Sequence, residues 1–274
     1  MVEKGKGFQI FANVLLALLS ICAVAPFILL IMSSFTDEQV LISNGYSFFP
    51  AKFSTYAYEY LLTDSTSVIR GYGISFLITA VGTVCNLLLT TLYAYPLSRR
   101  DLPGRNGFAF YLFFTMLFSG GLVPSYMMWT QTFHIRNTLW ALLIPGLMMG
   151  AFNVIMMRTY FTQNIPDAVI EAARIDGANG WQQFKHITVA YLIPTLSVVL
   201  VLLVKQGLMV FDYVKSMTAG GPGTATQTIA LLIYNNGFER NRYSYSIAQA
   251  IATGVIIALI SAIQIQASNR KKVD

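Results

Sequence analysis

Charge is scarce in this chain. Only 11% of its 274 residues are Asp, Glu, Lys or Arg, against roughly 25% in an ordinary soluble domain, while 55% are hydrophobic. A water-soluble fold of this length would lack the polar surface to cover itself. Cysteine and histidine are as scarce, with two of each. Cys22 and Cys85 lie inside apolar runs, with no CxxC and no Cys/His cluster near either, which excludes a disulfide framework and leaves no metal site to expect. His134 and His186 fall on opposite expected sides, and no Ser/His/Asp set or carboxylate pair is placed for hydrolysis, so no catalytic residues are expected. A phosphate-cradling GxxxxGK[ST] is also missing.

Long apolar runs fill the space that these absences leave. A window of about nineteen residues gives six spans, at about 8–33, 72–97, 107–130, 138–158, 188–211 and 247–267. Each covers a hydrocarbon core of roughly 30 Å as a helix. Backbone groups in lipid must be satisfied within the segment, and the alternating ten-residue strands of a barrel are absent. Most of the runs also lack the polar stripe at a 3.6-residue period that a soluble helical core would show. The expected fold class is therefore an all-α membrane protein, a single transmembrane domain over 1–274. The first run exceeds the 7–15 residues of a signal-peptide core and reads as the first membrane helix.

The net charge of +6 does not point to nucleic acid, because the basic residues sit in short clusters between apolar runs. Lys4 and Lys6, Arg99, Arg100 and Arg105, then Arg158, Arg174 and Lys185, and finally Arg270, Lys271 and Lys272 fall on one side. That side is expected to be cytoplasmic, with both termini on it. The segment from Ser34 to Gly71, bearing Asp37, Glu38, Glu59 and Asp64, faces the other way, as does the segment from Asp212 to Ser246. Prolines at 26, 96, 124, 145 and 194 interrupt the spans, with Gly120 and Gly121 just before Pro124. Such breaks either bend helices around a pathway or do nothing special. No internal repeat argues for an inverted-repeat transporter.

The most informative stretch runs from Asn164 to Pro194, NIPDAVIEAARIDGANGWQQFKHITVAYLIP, between the fourth and fifth spans. Asn164 is expected to cap a short helix, Pro166 suits its first turn, Asp167 and Glu171 put negative charge toward its positive end, and Gly177 can end it in a left-handed conformation. Ala168, Ala172 and Ala173 keep one side small enough for another backbone to approach. Glu171 either pairs with Arg174 three residues on or serves a partner. Trp181 and Phe184 are expected to anchor the chain beneath the bilayer as it enters the fifth span, so movement of this cytoplasmic knob would pull on a membrane helix.

Here the chain resembles a family. Glu171-Ala172-Ala173, Gly177 and Ile187 ten residues later match the EAA loop of permease subunits in binding-protein-dependent ABC importers, and the string EAARIDGA, which includes Asp176, resembles the maltose-type sugar permeases. The Leu-Pro pair that follows in the family is replaced by Val189-Ala190. A second match joins the last two spans: Phe211-Asp212, then Thr218-Ala219-Gly220-Gly221-Pro222-Gly223 and Thr226. The resemblance implies a type I importer permease fold with a cytoplasmic coupling loop at 160–187. It implies no cofactor in this chain, with ATP and Mg acting in two cytoplasmic ATPase subunits. It also implies a second permease subunit completing a heterodimer, an extracytoplasmic sugar-binding protein, and a bacterial inner-membrane location.

Lys205 is the ionisable residue clearly inside a span, and an intramembrane charge is a functional candidate because lipid exposure costs at least about 2.5 kcal/mol. With Gln206 beside it and Asp212 two turns on, it either lines an aqueous path or snorkels outward to pair with Asp212. Asn153 and Tyr213 are further candidates, since sugar recognition needs polar groups and an aromatic face. The turn at Gly220, Gly221, Pro222 and Gly223 is either a flexible connection or a probe that reaches into the binding protein. A non-sugar solute, an ion-coupled transporter and a purely structural subunit remain alternatives, though the helix interiors carry no Asp or Glu to couple ions.

Overall fold

The computed structural model describes residues 6–63, 65–99 and 102–270. Of the charges that set the expected orientation, Lys4, Asp64, Arg100, Lys271 and Lys272 lie outside those residues. Regular structure within them is helical, apart from one isolated antiparallel bridge between Thr36 and Phe53. The elements are α1 (Lys6–Ser34), α2 (Glu38–Asn44), α3 (Tyr56–Thr63), α4 (Ser65–Ser98), α5 (Arg105–Leu117), α6 (Leu122–Met127), α7 (Trp140–Leu147), α8 (Ala151–Asn164), α9 (Asp167–Ile175), α10 (Gly180–Gln182), α11 (Val189–Leu208), α12 (Ile229–Tyr234) and α13 (Tyr243–Arg270).

By length and composition α1, α4 and α13 can each cross a bilayer alone, and the number rises to six if three bent pairs each count as one span. α5 meets α6, with its π-helical continuation to Thr132, at 111°, and α7 meets α8 at 48°. The third pair is Gly180–Leu192 with Leu196–Leu208. The stretch expected as one helix over 107–130 is therefore two. α5 stops at Leu117 with Phe118 extended, and Gly121, at φ +81°, leads into the start of α6. Pro124 then falls in the first turn of α6, where a missing N–H costs nothing.

Two compact units are present, Met1–Val68 with Leu232–Val255, and Ile69–Leu231 with Ile256–Asp274. The first is tied by polar contacts. The Ser244 hydroxyl donates to the Thr36 carbonyl at 2.9 Å, and the buried Asn236 amide donates to Gln249 at 2.9 Å. The Glu38 carboxylate accepts the backbone N–H groups of Tyr243, Ser244 and Tyr245 at the start of α13, and Lys52 pairs with Asp37 at 2.8 Å.

In the second unit the main core joins Ala94 and Leu97 of α4, Met157 and Phe161 of α8, Ile170 of α9 and Leu203 of α11. Among the largely unstriped spans α4 is an exception and buries a polar row at helical spacing: Ser75, Thr79, Thr83, Asn86 and Thr90. Small residues let helices touch along that row. A Cβ on Gly207 would lie 2.6 Å from the Thr79 hydroxyl oxygen, and one on Gly82 would lie 2.8 Å from the Leu147 Cβ.

Candidate functional site

The bend between α7 and α8 creates a chemical problem. The last carbonyls of α7 lose their intrahelical partners where the helix ends, and a buried carbonyl without a donor is costly. Side chains from two other helices supply the donors. The Gln206 amide of α11 donates to the Gly146 carbonyl at 3.0 Å, and the buried Asn86 amide of α4 donates to the Leu147 carbonyl at 3.0 Å.

A cavity of about 590 Å³ opens beside this joint. Its walls bring together Asn153, Lys205, Gln206, Asp212 and Tyr213, the polar and aromatic residues singled out in the sequence, although they come from α8, α11 and the connection after it. Phe152 and Phe211 add two aromatic faces. Nothing in the sequence marks Phe152 among nineteen phenylalanines, and Phe211 is marked only as part of a motif. Lys205 and Asp212 share the cavity without an ion pair between them, so the snorkelled pair is not formed. Tyr213 packs its ring on Gly146, where an added Cβ would come within 3.4 Å.

After α11 the glycine turn is built rather than slack. Ala219, Gly220 and Gly223 all have positive φ, the Gly221–Pro222 bond is cis, and Thr226 donates its N–H to the Gly220 carbonyl and its hydroxyl to the Gly221 carbonyl at 2.7 Å. The Arg70 guanidinium at the start of α4 donates to the Thr224 hydroxyl at 2.6 Å. Pro222 and Gly223 remain exposed at the tip.

The Asn164–Pro194 stretch forms its short helix, α9, but Asn164 does not cap it. Asn164 ends α8 and turns its amide back to the Tyr160 carbonyl, leaving Pro166 at the N-cap. The other end follows expectation: Gly177 takes φ +84°, its N–H bonds the Arg174 carbonyl, and the Ala178 N–H bonds the Ala173 carbonyl at 2.9 Å, a complete Schellman stop. Ile170 is buried and anchors one face. Glu171, Ala172, Asp176 and Gly177 are exposed, Ala173 is half-buried, and Glu171 forms no ion pair with Arg174. Ile175 beside them is 86% exposed.

Beyond Gly177, Asn179 and Gln182 form a reciprocal capping box that restarts the chain as α10. A π-helical stretch, Gln183–Thr188, then runs into α11. Within it Phe184 lies against Tyr95 of α4 at 5.2 Å between ring centroids, while the exposed Trp181 stacks on Phe184 at 5.6 Å.

Comparison with known proteins gives the family and the fold. The family model of the binding-protein-dependent transport system inner membrane component matches residues 106–272. The polygalacturonan/rhamnogalacturonan transport system permease protein YtcP of Bacillus subtilis is 34% identical over 197 residues, which cover 72% of this chain and 67% of that one. The multiple sugar-binding transport system permease protein MsmF of Streptococcus mutans is 29% identical over 238 residues, or 79% and 81% of the two chains. A chain from the crystal structure of a bacterial ABC transporter that imports the acidic polysaccharide alginate has the same fold, with a TM-score of 0.75 and 23% identity over 97% of this chain and 98% of that one. The chain therefore belongs to the inner membrane components of binding-protein-dependent transport systems, the multi-pass permease subunits of ABC importers.

Proposed function

We propose that this chain forms half of the translocation pathway of an ATP-driven carbohydrate importer and couples it to a separate cytoplasmic ATPase. The observation that carries the reading is α9, anchored by Ile170 and stopped at Gly177, which offers Glu171, Ala172 and a largely exposed Ile175 to a partner. Ala172 and Ala173 keep that surface low enough for another backbone to close on it. Asp176 and Gly177 end it abruptly, so a cleft of matching size can seat the helix end.

Two ATPase subunits with ATP and Mg, a second permease subunit completing a heterodimer, and an extracytoplasmic sugar-binding protein make up the rest of the machine in this reading. The α9 side then faces the cytoplasm of a bacterial cell, with both termini, and the tip at Pro222 and Gly223 faces the binding protein together with Gly220 and Gly221. The carbohydrate class is supported by the relatives named for galacturonan and for multiple sugars. The cavity chemistry agrees with it, because Asn153, Lys205, Gln206 and Asp212 can exchange hydrogen bonds with hydroxyls while Tyr213, Phe152 and Phe211 present flat apolar faces. Nucleotide closure of the ATPases moves the α9 helices together, and rigid helices expose the cavity alternately to the two sides.

The test is purification from native membranes, comparing wild type with Glu171→Ala. The wild type is expected to bring an ATP-hydrolysing chain and a second permease, and its reconstituted uptake to be competed by carbohydrates and not by amino acids. Glu171→Ala is expected to stay in the membrane with uptake-coupled hydrolysis lost. A wild-type chain that purifies alone and carries solute without ATP would refute the proposal.

A further inference from the structure

Three helices that contribute to the cavity or its bent wall meet again at one aromatic cluster. Tyr95 sits at its centre, with ring centroids 5.8 Å from Phe161 of α8 and 5.2 Å from Phe184 at the entry to α11, both near-perpendicular. The Arg99 guanidinium lies 4.8 Å above the Tyr95 ring and donates to its hydroxyl at 3.3 Å. Trp181 extends the cluster toward the segment after Gly177.

Each helix that reaches this cluster also reaches the cavity or its bent wall. On α4, Asn86 holds the Leu147 carbonyl about 13 Å up the helix from Tyr95. On α8, Asn153 lines the cavity about 12 Å from Phe161. α11 carries Lys205 and Gln206. The α9–α10 segment is continuous with α8 at one end and with α11 at the other, so a pull on it reaches α4 only across side chains. Edge-to-face ring pairs have a preferred geometry, so displacement of one ring is opposed by the other.

We propose that Tyr95 is a positioning residue for coupling: it passes displacement of the α9–α10 segment, which α8 and α11 receive through the backbone, to α4 as well, so that the cavity walls move as one body. The inference rests on the coupling role proposed for that segment. In the complete reconstituted complex, Tyr95→Leu is expected to co-purify with the ATPase as wild type does while solute moved per ATP falls about tenfold, the size of a modest coupling free energy. Tyr95→Phe keeps the ring and is expected to stay near wild type. Phe184→Leu is expected to reproduce the fall, and the double variant to add nothing, since both break one contact.

Unchanged solute per ATP in both leucine variants overturns the proposal, as does additivity in the double variant. Loss of the ATPase from Tyr95→Leu also overturns it, because the residue would then shape the docking surface. Absence of any ATPase from the wild-type complex would instead refute the underlying coupling role.

Discussion

Glu38 meets opposing influences. Burial pushes its carboxyl above the ordinary carboxylate range, while three backbone N–H donors at the start of α13 and the charge of Arg242 pull the other way and do not overcome it. A carboxyl whose pKa is raised on folding favours the folded state when protonated, so its contribution is present at low pH and is lost as pH rises through the folded value. Asp37, next in the chain, behaves oppositely, because its bond to Lys52 holds its pKa down, and its contribution is lost as pH falls. Comparison with Glu38→Gln cancels the Asp37 part. Wild-type melting temperature relative to Glu38→Gln is expected to rise as pH is lowered from neutrality through the carboxylate range; a difference that is flat or falls would show that the N–H donors dominate.

Single residues were legible in the sequence where their chemistry is rare in its setting. Lys205 is a cation inside a span, and Asn153, Gln206, Asp212 and Tyr213 stand out by their polarity or their place in a motif; the structure puts all five on one cavity. Phe152 was invisible because phenylalanine in an apolar run is the ordinary case. The buried row from Ser75 to Thr90 was legible at helical spacing, but scattered hydroxyls in a hydrophobic helix are easily passed over.

At the scale of elements, Pro and Gly announced breaks without giving angles. Nothing in Ser119-Gly120-Gly121 distinguishes a 111° turn from a mild kink, because packing by the rest of the chain decides the angle. Gly177 was clearer, since a helix end needing positive φ selects glycine locally. Gly177→Val places a branched side chain in the left-handed region at a cost of about 1–2 kcal/mol. The stop after α9 should loosen, and uptake per ATP should fall while membrane insertion is kept. Retained coupling would mean that the Schellman stop is not needed to present Glu171.

For the whole molecule, six apolar runs were legible from hydropathy because lipid imposes a length, whereas helices α2 and α3 and the π-helical stretches carry no comparable signal. None of the apolar stretch of α1 that qualifies as a span is buried within the chain, so lipid or another subunit must cover it. The orientation proposed from Lys and Arg makes a direct prediction. With Cys22 and Cys85 replaced by Ala, Ala225→Cys should react with a membrane-impermeant maleimide in intact cells, and Ile175→Cys only after permeabilisation. The reverse pattern would invert the topology and remove α9 from the side where ATP is available.

The joint between α7 and α8 carries a last consequence. Its Gly146 and Leu147 carbonyls are held by amides on α11 and α4, so the bend beside the cavity is specified by neighbouring helices as well as by the helices that curve. Exchanging the Asn86 amide, which does not line the cavity, for a side chain that cannot donate would alter the calibre of the proposed passage without changing a residue of the bent segment. Selectivity in such a subunit can therefore drift at positions that never meet the cargo.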